Sequence, residues 1–324
     1  MTRTFKVGTR GSNLATTQAG HVRDALIAAG YPAELVIVRT KGDVVMAPVE
    51  RIGVGVFTLE LRAALERGDC DIAVPPRVDP SDVLIARDGR TFADLPEGAR
   101  VGTSAPRRRS QLSALRPDLD LHPLRGNIDT RMGYVASGDL DAVVLAGAGL
   151  DRVGLQERAS HRFGIDEMLP APAQGALAVE ARADDPEAIE ALAVVDHLPS
   201  RIRVAAERRL LADLEAGCTA PVGARAELAS DGTESSVELT GGELTLHAVV
   251  AAHDGTTVLR TTGTTATTAP PDGPIAAADE LGRKLAAELL DRGARDLMAD
   301  DATEERPPLI PKESTTAPPT VPDS

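Results

Sequence analysis

Arg100–Ala146 reads RVGTSAPRRRSQLSALRPDLDLHPLRGNIDTRMGYVASGDLDAVVLA. Three short apolar runs stand out: Arg100-Val-Gly-Thr, the residues around Leu121, and Asp141-Ala-Val-Val-Leu-Ala. Helix-length stretches separate them, one from about Arg107 and one after Asn127. Strands alternating with helices in this way predict α/β layers with mostly parallel strands. In such a sheet consecutive strand ends fall on one edge, so the turns at Thr103-Ser104 and Leu124-Arg125-Gly126 are brought together.

The alternation extends toward the N-terminus. Phe5-Lys-Val-Gly reads as a strand, Ser12 as an N-cap, and Leu14 to Ala29 as a helix ended by Gly30. A strand at Glu34–Arg39, a helix at Leu59–Glu66 closed by Gly68, and a strand at Asp71-Ile-Ala-Val follow. Gly175-Ala-Leu-Ala-Val-Glu reads as a late strand that returns to the first domain. From about Pro199 the texture changes. A helix at Arg201–Glu215 stops at Gly217, strands at Ser236–Thr240 and Glu243–Ala251 are joined as a hairpin by Gly241-Gly242, and a last helix spans Ala276–Leu290. Six prolines lie between Thr303 and Ser324, so that tail is expected to be disordered. The expected organisation is an α/β domain from 1–80 and 176–196, a second from 81–175, a small α+β domain from 197–300, and the tail 301–324.

The chain has 324 residues, with 35 Lys and Arg against 49 Asp and Glu, a net charge of −14. Such an acidic chain argues against nucleic acid or an anionic membrane as partner. Aromatics make up 2% and there is no Trp, which argues against base stacking. Two cysteines, Cys70 and Cys218, make neither a zinc cluster nor a disulfide framework, so no metal and a reducing cytoplasm are expected. The start has no apolar signal core, and the longest apolar run, Ala142–Leu150, is too short to cross a bilayer.

Against this background, residues 100–131 hold seven arginines and three aspartates, an island of +4. Arg107, Arg108 and Arg109 open a helix behind Thr103 and Ser104, which can cap it beside free backbone N–H groups. Arg125 sits at the next strand-to-helix turn, and Arg131 one turn into that helix. Guanidinium forks bind carboxylates bidentately. A solvated arginine face is the competing reading, and placement at successive strand ends favours a cleft for an anionic small molecule. Cys218, in Glu-Ala-Gly-Cys-Thr-Ala-Pro-Val-Gly, reads on spacing alone as an inert thiol, with no His placed to activate it. Cys70 begins a buried strand and reads the same way.

Several longer segments point further. Gly8-Thr-Arg-Gly-Ser-Asn-Leu-Ala, Thr40-Lys-Gly-Asp, Val101-Gly-Thr-Ser-Ala-Pro-Arg-Arg, Leu124-Arg-Gly-Asn-Ile-Asp-Thr-Arg, Leu145-Ala-Gly-Ala-Gly-Leu-Asp-Arg, Pro172-Ala-Gln-Gly-Ala and the Cys218 loop occur in that order. From Phe5 to about Leu297 the chain resembles the porphobilinogen deaminase (hydroxymethylbilane synthase) family. The resemblance implies two periplasmic-binding-protein-like α/β domains around a cleft, plus a small α+β C-terminal domain. It implies a cytoplasmic, monomeric transferase of tetrapyrrole biosynthesis (haem, chlorophyll, corrinoid) that polymerises porphobilinogen to hydroxymethylbilane. It also implies a dipyrromethane cofactor, made from substrate, linked by thioether to the residue matching Cys218. Matching positions put Arg107, Arg108, Arg125, Arg131, Thr103, Ser104 and Phe57 at the cofactor, and Arg10, Ser12, Gln18, Arg152 and Arg77 at the substrate. Acetate and propionate groups on every pyrrole account for arginines gathered in an acidic protein.

One departure bears on catalysis. In the family the strand Asp-Ile-Ala-Val runs into His-Ser-x-Lys-Asp-x-Pro, whose Asp is the central carboxylate. Here Val74 runs directly into Pro75-Pro-Arg-Val-Asp-Pro, which resembles a later family segment, so about twenty residues are missing, the catalytic Lys-Asp among them. Asp79 and Asp43 are the weak substitutes. The expectation is a transferase with impaired activity; a non-catalytic paralogue that binds oligopyrroles or other polycarboxylates is the alternative. A plain anion-binding protein of the periplasmic-binding fold explains neither the third domain nor Cys218.

Overall fold

The computed structural model describes residues 3–38, 63–65, 78–217, 219–229, 242–267, 273–299 and 309. The helix expected at Leu59–Glu66 is described only at 63–65; the strands at Asp71–Val74 and Ser236–Thr240 lie outside these residues, as do Cys70 and Cys218.

Near the N-terminus, β1 (Phe5–Thr9) and β2 (Ala33–Ile37) pair in parallel around α1 (Asn13–Ala28). Ser12 caps α1, its hydroxyl accepting the Ala15 N–H at 3.4 Å. Phe5, Val7, Ala19, Val22 and Leu26 form a buried cluster that Ala188 and Ala191 complete from far along the chain.

The stretch that set the fold expectation builds a five-stranded sheet. Its strands are β3 (Asp82–Ala86), β4 (Arg100–Gly102), β5 (Asp120–His122), β6 (Ala142–Ala146) and β7 (His161–Arg162), in spatial order β5-β4-β6-β3-β7. Helices α2 (Pro106–Leu115), α3 (Ile128–Ala136) and α4 (Gly147–Arg152) follow β4, β5 and β6. The sheet is covered on both faces, which is why β6 reads as an unbroken apolar run. Leu84, Ala142 and Val144 enter one cluster with Phe92, Leu112 and Phe163; Val83, Val143 and Leu145 enter the other with Leu124, Tyr134 and Leu150. β4 pairs in parallel with β5 and β6, as expected, but β3 runs antiparallel to both β6 and β7, so the sheet is mixed.

Helix α5 (Pro186–Leu192) returns to the first cluster, and α6 (Leu198–Asp213) leads into an antiparallel sheet. That sheet has the order β10-β9-β8, with β8 (Val222–Ala229), β9 (Glu243–Ala251) and β10 (Val258–Ala266). Helix α7 (Gly273–Asp291) packs with α6 on one face, where Leu210, Leu246, Leu281 and Leu285 are buried together. The two helices touch at Gly282, where a Cβ would stand 2.5 Å from the Ala206 carbonyl oxygen. Helix α8 (Ala294–Met298) ends this unit.

Three expectations need correcting. Ala176–Val179 is not a strand; of the expected late strand only Glu180 forms a bridge. The hairpin at Gly241-Gly242 does not define β9, because β8 and β10 fill both of its edges over most of its length. The tail is not free throughout. The Leu309 N–H donates to the Pro123 carbonyl at 3.0 Å, the Tyr134 hydroxyl donates to the Leu309 carbonyl at 2.9 Å, and the residue bridges to Leu124.

Candidate functional site

The site is built at the ends of β4 and β5. The Thr103 N–H donates to the His122 carbonyl at 2.9 Å, extending the ladder one residue past the strands. The Ser104 hydroxyl then donates to the Leu124 carbonyl and accepts the Leu124 N–H at 2.8 Å. This stitch draws the Arg125 turn against the start of α2. Neither hydroxyl caps α2 as expected: its N-cap is Ala105, with no side-chain cap bond, and Thr103 Oγ1 accepts the Ala105 N–H at 3.4 Å. Asn127 caps α3 by accepting the Thr130 N–H at 2.9 Å.

Arg131 folds back over this turn, its Nε donating to the Gly126 carbonyl at 2.9 Å. Burial lowers its pKa, and repulsion from Arg108 and Arg125 lowers it further, to about 10. No acid enters that balance. Arg131 therefore lies near two other guanidinium groups with no acid of its own among the described residues, an arrangement that favours an incoming anion.

Arg107 and Arg108 behave differently from expectation. Both are buried, and both pair with Asp82, the first residue of β3, at 2.5 and 2.8 Å. Full burial pushes the Asp82 carboxyl up, but the two arginines outweigh it and bring it down to about 2. Gln174 joins them: its amide donates to Asp82 at 2.8 Å and to the Pro80 carbonyl at 2.6 Å, and its oxygen accepts from Arg107 at 3.1 Å. Sequence reading missed Asp82. The available signal was a lone acid opening an apolar run, Asp82-Val-Leu-Ile, which is costly inside a sheet unless paired.

The segments 78–81 and 172–176 run side by side below this cluster. The Val78 N–H donates to the Gly175 carbonyl at 3.0 Å, and a Cβ on Gly175 would meet the Val78 carbonyl at 2.6 Å. Arg152 donates to that same Gly175 carbonyl at 2.7 Å. From α6, the fully buried Glu207 accepts the N–H of Ala173 at 2.6 Å and of Ala226 at 2.7 Å, a clamp that was also unforeseen.

Asp79 is engaged elsewhere. It pairs with Arg162 at 2.6 Å and accepts from the Ser81 N–H and hydroxyl at 3.0 and 2.8 Å. Partial burial pushes its carboxyl up, but Ser81, Arg162 and Arg225 hold it below the ordinary range. Arg10 follows β1 and Gln18 lies half-buried on α1. Leu14, at the start of the same helix, lies near Gly149 of α4, which in turn abuts Ile128 of α3. Phe57, Asp43, Arg77 and Cys218 lie outside the described residues.

The family model "Porphobilinogen deaminase, dipyromethane cofactor binding domain" matches residues 5–75 and 72–190, and "Porphobilinogen deaminase, C-terminal domain" matches 201–291. A porphobilinogen deaminase of Corynebacterium glutamicum is 54% identical, covering 92% of this chain and 99% of that protein. Those of Nocardia farcinica and Mycobacterium tuberculosis are 52% and 50% identical, covering 93% and 91% of this chain and 90% and 98% of theirs. Among solved structures, an ancestral arginine-binding protein bound to arginine is 13% identical with a TM-score of 0.35, covering 60% of this chain and 92% of that one. The first family model meets itself at 72–75, where the sequence reading places the missing residues. The Corynebacterium alignment runs over 315 positions, while 92% of 324 residues is about 298, so about 17 positions have no residue here.

Proposed function

The chain belongs to the porphobilinogen deaminase family, and from that premise we propose that it polymerises porphobilinogen with a slowed chemical step, on a dipyrromethane held by Arg108, Arg125 and Arg131 and anchored at Cys218. The activity is that of a transferase of tetrapyrrole biosynthesis, with porphobilinogen as small-molecule substrate. The cofactor assignment draws on the matched cofactor-binding domain, and no helix among the described residues is long and apolar enough to cross a membrane. A monomer in the cytoplasm serving haem or related synthesis belongs to the same proposal. So does a division into units 1–80 with 176–196, 81–175 and 197–300.

One observation carries the reading. Arg131, folded onto the Gly126 carbonyl at 2.9 Å, feels the charges of Arg108 and Arg125 with no acid to balance it among the described residues, and burial and that repulsion lower its pKa to about 10. A pyrrole's acetate and propionate are the counter-charge such a group lacks, so the donor set fits the cofactor and the substrate alike. When bound, dipyrromethane would supply the pyrrole carbon to which the first porphobilinogen is joined. The protein's part is to seat the carboxylates on Arg108, Arg125 and Arg131 and to hold the turns rigid through Ser104 and Asn127.

The slowed step follows from what stands after Val74. Prolines at 75 and 76 supply neither a carboxylate nor an N–H. Asp79 is held by Arg162 and Ser81 and is poorly placed to replace one. Losing a preorganised charge of this kind costs about 10²–10³ in rate. Seating of the ligand is untouched, so kcat falls while KM changes little. Intact mass of protein from cells that make porphobilinogen tests the binding half: the expected increment is two linked pyrroles, removed by Cys218→Ser. An unmodified mass would sink the reading. Turnover equal to that of an ordinary relative would refute the slowed step.

A further inference from the structure

The carboxylate of Asp82 is fully buried, and the proposed chemistry gives it no task. Its contacts divide two neighbouring arginines unequally. Arg107 donates from Nη1 to Asp82 at 2.5 Å and to the Leu169 carbonyl at 2.9 Å, and from Nη2 to Asp82 at 3.4 Å and to Gln174 at 3.1 Å. A guanidinium has five N–H donors, so Arg107 keeps one, on Nε. Arg108 donates from Nε and Nη2 to Asp82 at 3.0 and 2.8 Å, and from Nη1 to the Val144 carbonyl at 3.3 Å. One N–H remains on each of its terminal nitrogens, a pair that suits a carboxylate. Arg108, and not Arg107, is the member of the pair that Arg131 feels.

We propose that Asp82 is a positioning residue for anion binding: it fixes Arg107 as a strut and leaves Arg108 as the member of the pair that meets the ligand. The adjacent arginines then bring one positive charge to the site, because Asp82 cancels the other. Gln174 ties the arrangement to the paired segments 78–81 and 172–176, so the orientation of Arg108 is set from outside its own helix. This inference rests on the cleft being a polycarboxylate site.

The test is calorimetric titration of the full chain carrying Cys218→Ser, so that no tethered pyrrole fills the cleft. The probes are porphobilinogen and tricarballylate, each at two ionic strengths. Arg107→Met, which leaves Asp82 paired with Arg108 and Gln174, should weaken binding at most about threefold, whereas Arg108→Met should weaken it about 10–100-fold. Asp82→Asn should make affinity fall more steeply with salt, since the pair then carries two uncompensated charges. Adding Arg107→Met to Asp82→Asn should return that slope to the parent's, an outcome that loss of packing alone would not produce. Equal losses from Arg107→Met and Arg108→Met, or an unchanged salt slope in Asp82→Asn, would overturn the proposal. If Asp82→Asn does not fold, the two arginine variants decide. A parent that binds tricarballylate but not porphobilinogen refutes the proposed function and leaves this test intact; one that binds neither refutes both.

Discussion

Asp82 and Asp185 each sit between two arginines, and their settings differ. Asp185 takes Arg3 in a two-pronged bond, both contacts at 2.7 Å, and Arg182 at 2.8 Å, and it caps α5 by accepting the Ala188 N–H at 3.1 Å. Bonding to Arg3 brings its carboxyl to about 2, the same value as Asp82. Around Asp185, however, further acids follow: Glu187 lies 3.4 Å from Arg3 and Asp184 lies 3.9 Å from Arg182. Around Asp82 the charge continues the other way, into Arg108, Arg131 and Arg125. An aspartate between arginines is thus a structural knot in either place. What marks a ligand site is cation left over beyond the knot.

Removing the central carboxylate breaks the comparison hardest. Asp82→Ala strands two buried guanidinium groups and should cost about 3–5 kcal/mol in urea unfolding. Asp185→Ala leaves arginines at the rim and should cost about 1–2 kcal/mol, mostly as a lost cap. Equal costs would mean that burial does not separate the two knots.

A ligand should distinguish them next. Tricarballylate at 100 times its Kd should stabilise the protein by about 2.7 kcal/mol. Arg131→Met should abolish that gain and Arg182→Met should not, as read by thermal unfolding with and without the ligand. A gain that survives Arg131→Met would place the surplus charge elsewhere.

Acid gives the smallest effect. A carboxyl lowered from 3.8 to about 2 in the fold stabilises it above pH 4, and that contribution is lost as pH falls from about 4 through 2. For Asp82 the shift is worth about 2 kcal/mol. Asp82→Asn should therefore flatten stability against pH in that window, measured by urea unfolding at stepped pH. An unchanged slope would assign acid sensitivity to other carboxylates.

The sequence made the parallel part of the central sheet legible because local signals agreed there. The helix expected after Asn127 forms there, capped by Asn127, and β6 carries an unbroken aliphatic run that reads as a strand by itself. β3 was missed because its partners are remote: its antiparallel neighbours, β6 and β7, come about 60 and 80 residues later, and no hairpin turn announces either. β8 and β10 went unread for a different reason: Gly241-Gly242 suggested another neighbour for β9 than the two strands that flank it. At the site, residue type identified the arginines but not their partners. Nothing within a helix turn of Arg107 indicates that its counter-charge is Asp82, 25 residues upstream. Which arginine meets a ligand is decided by such long-range pairing, and periodicity carries no record of it.

Leu309 bridges Leu124, two residues past β5, although 185 positions separate them. A ribosome delivers residues in order, at about 5–20 per second. Between the synthesis of Leu124 and that of Leu309, roughly ten or more seconds by that rate, the backbone just past β5 lacks this partner. An uncovered strand edge is where nascent chains pair with one another. Truncation before Leu309, or a stall late in translation, should therefore show first as aggregation of newly made chains.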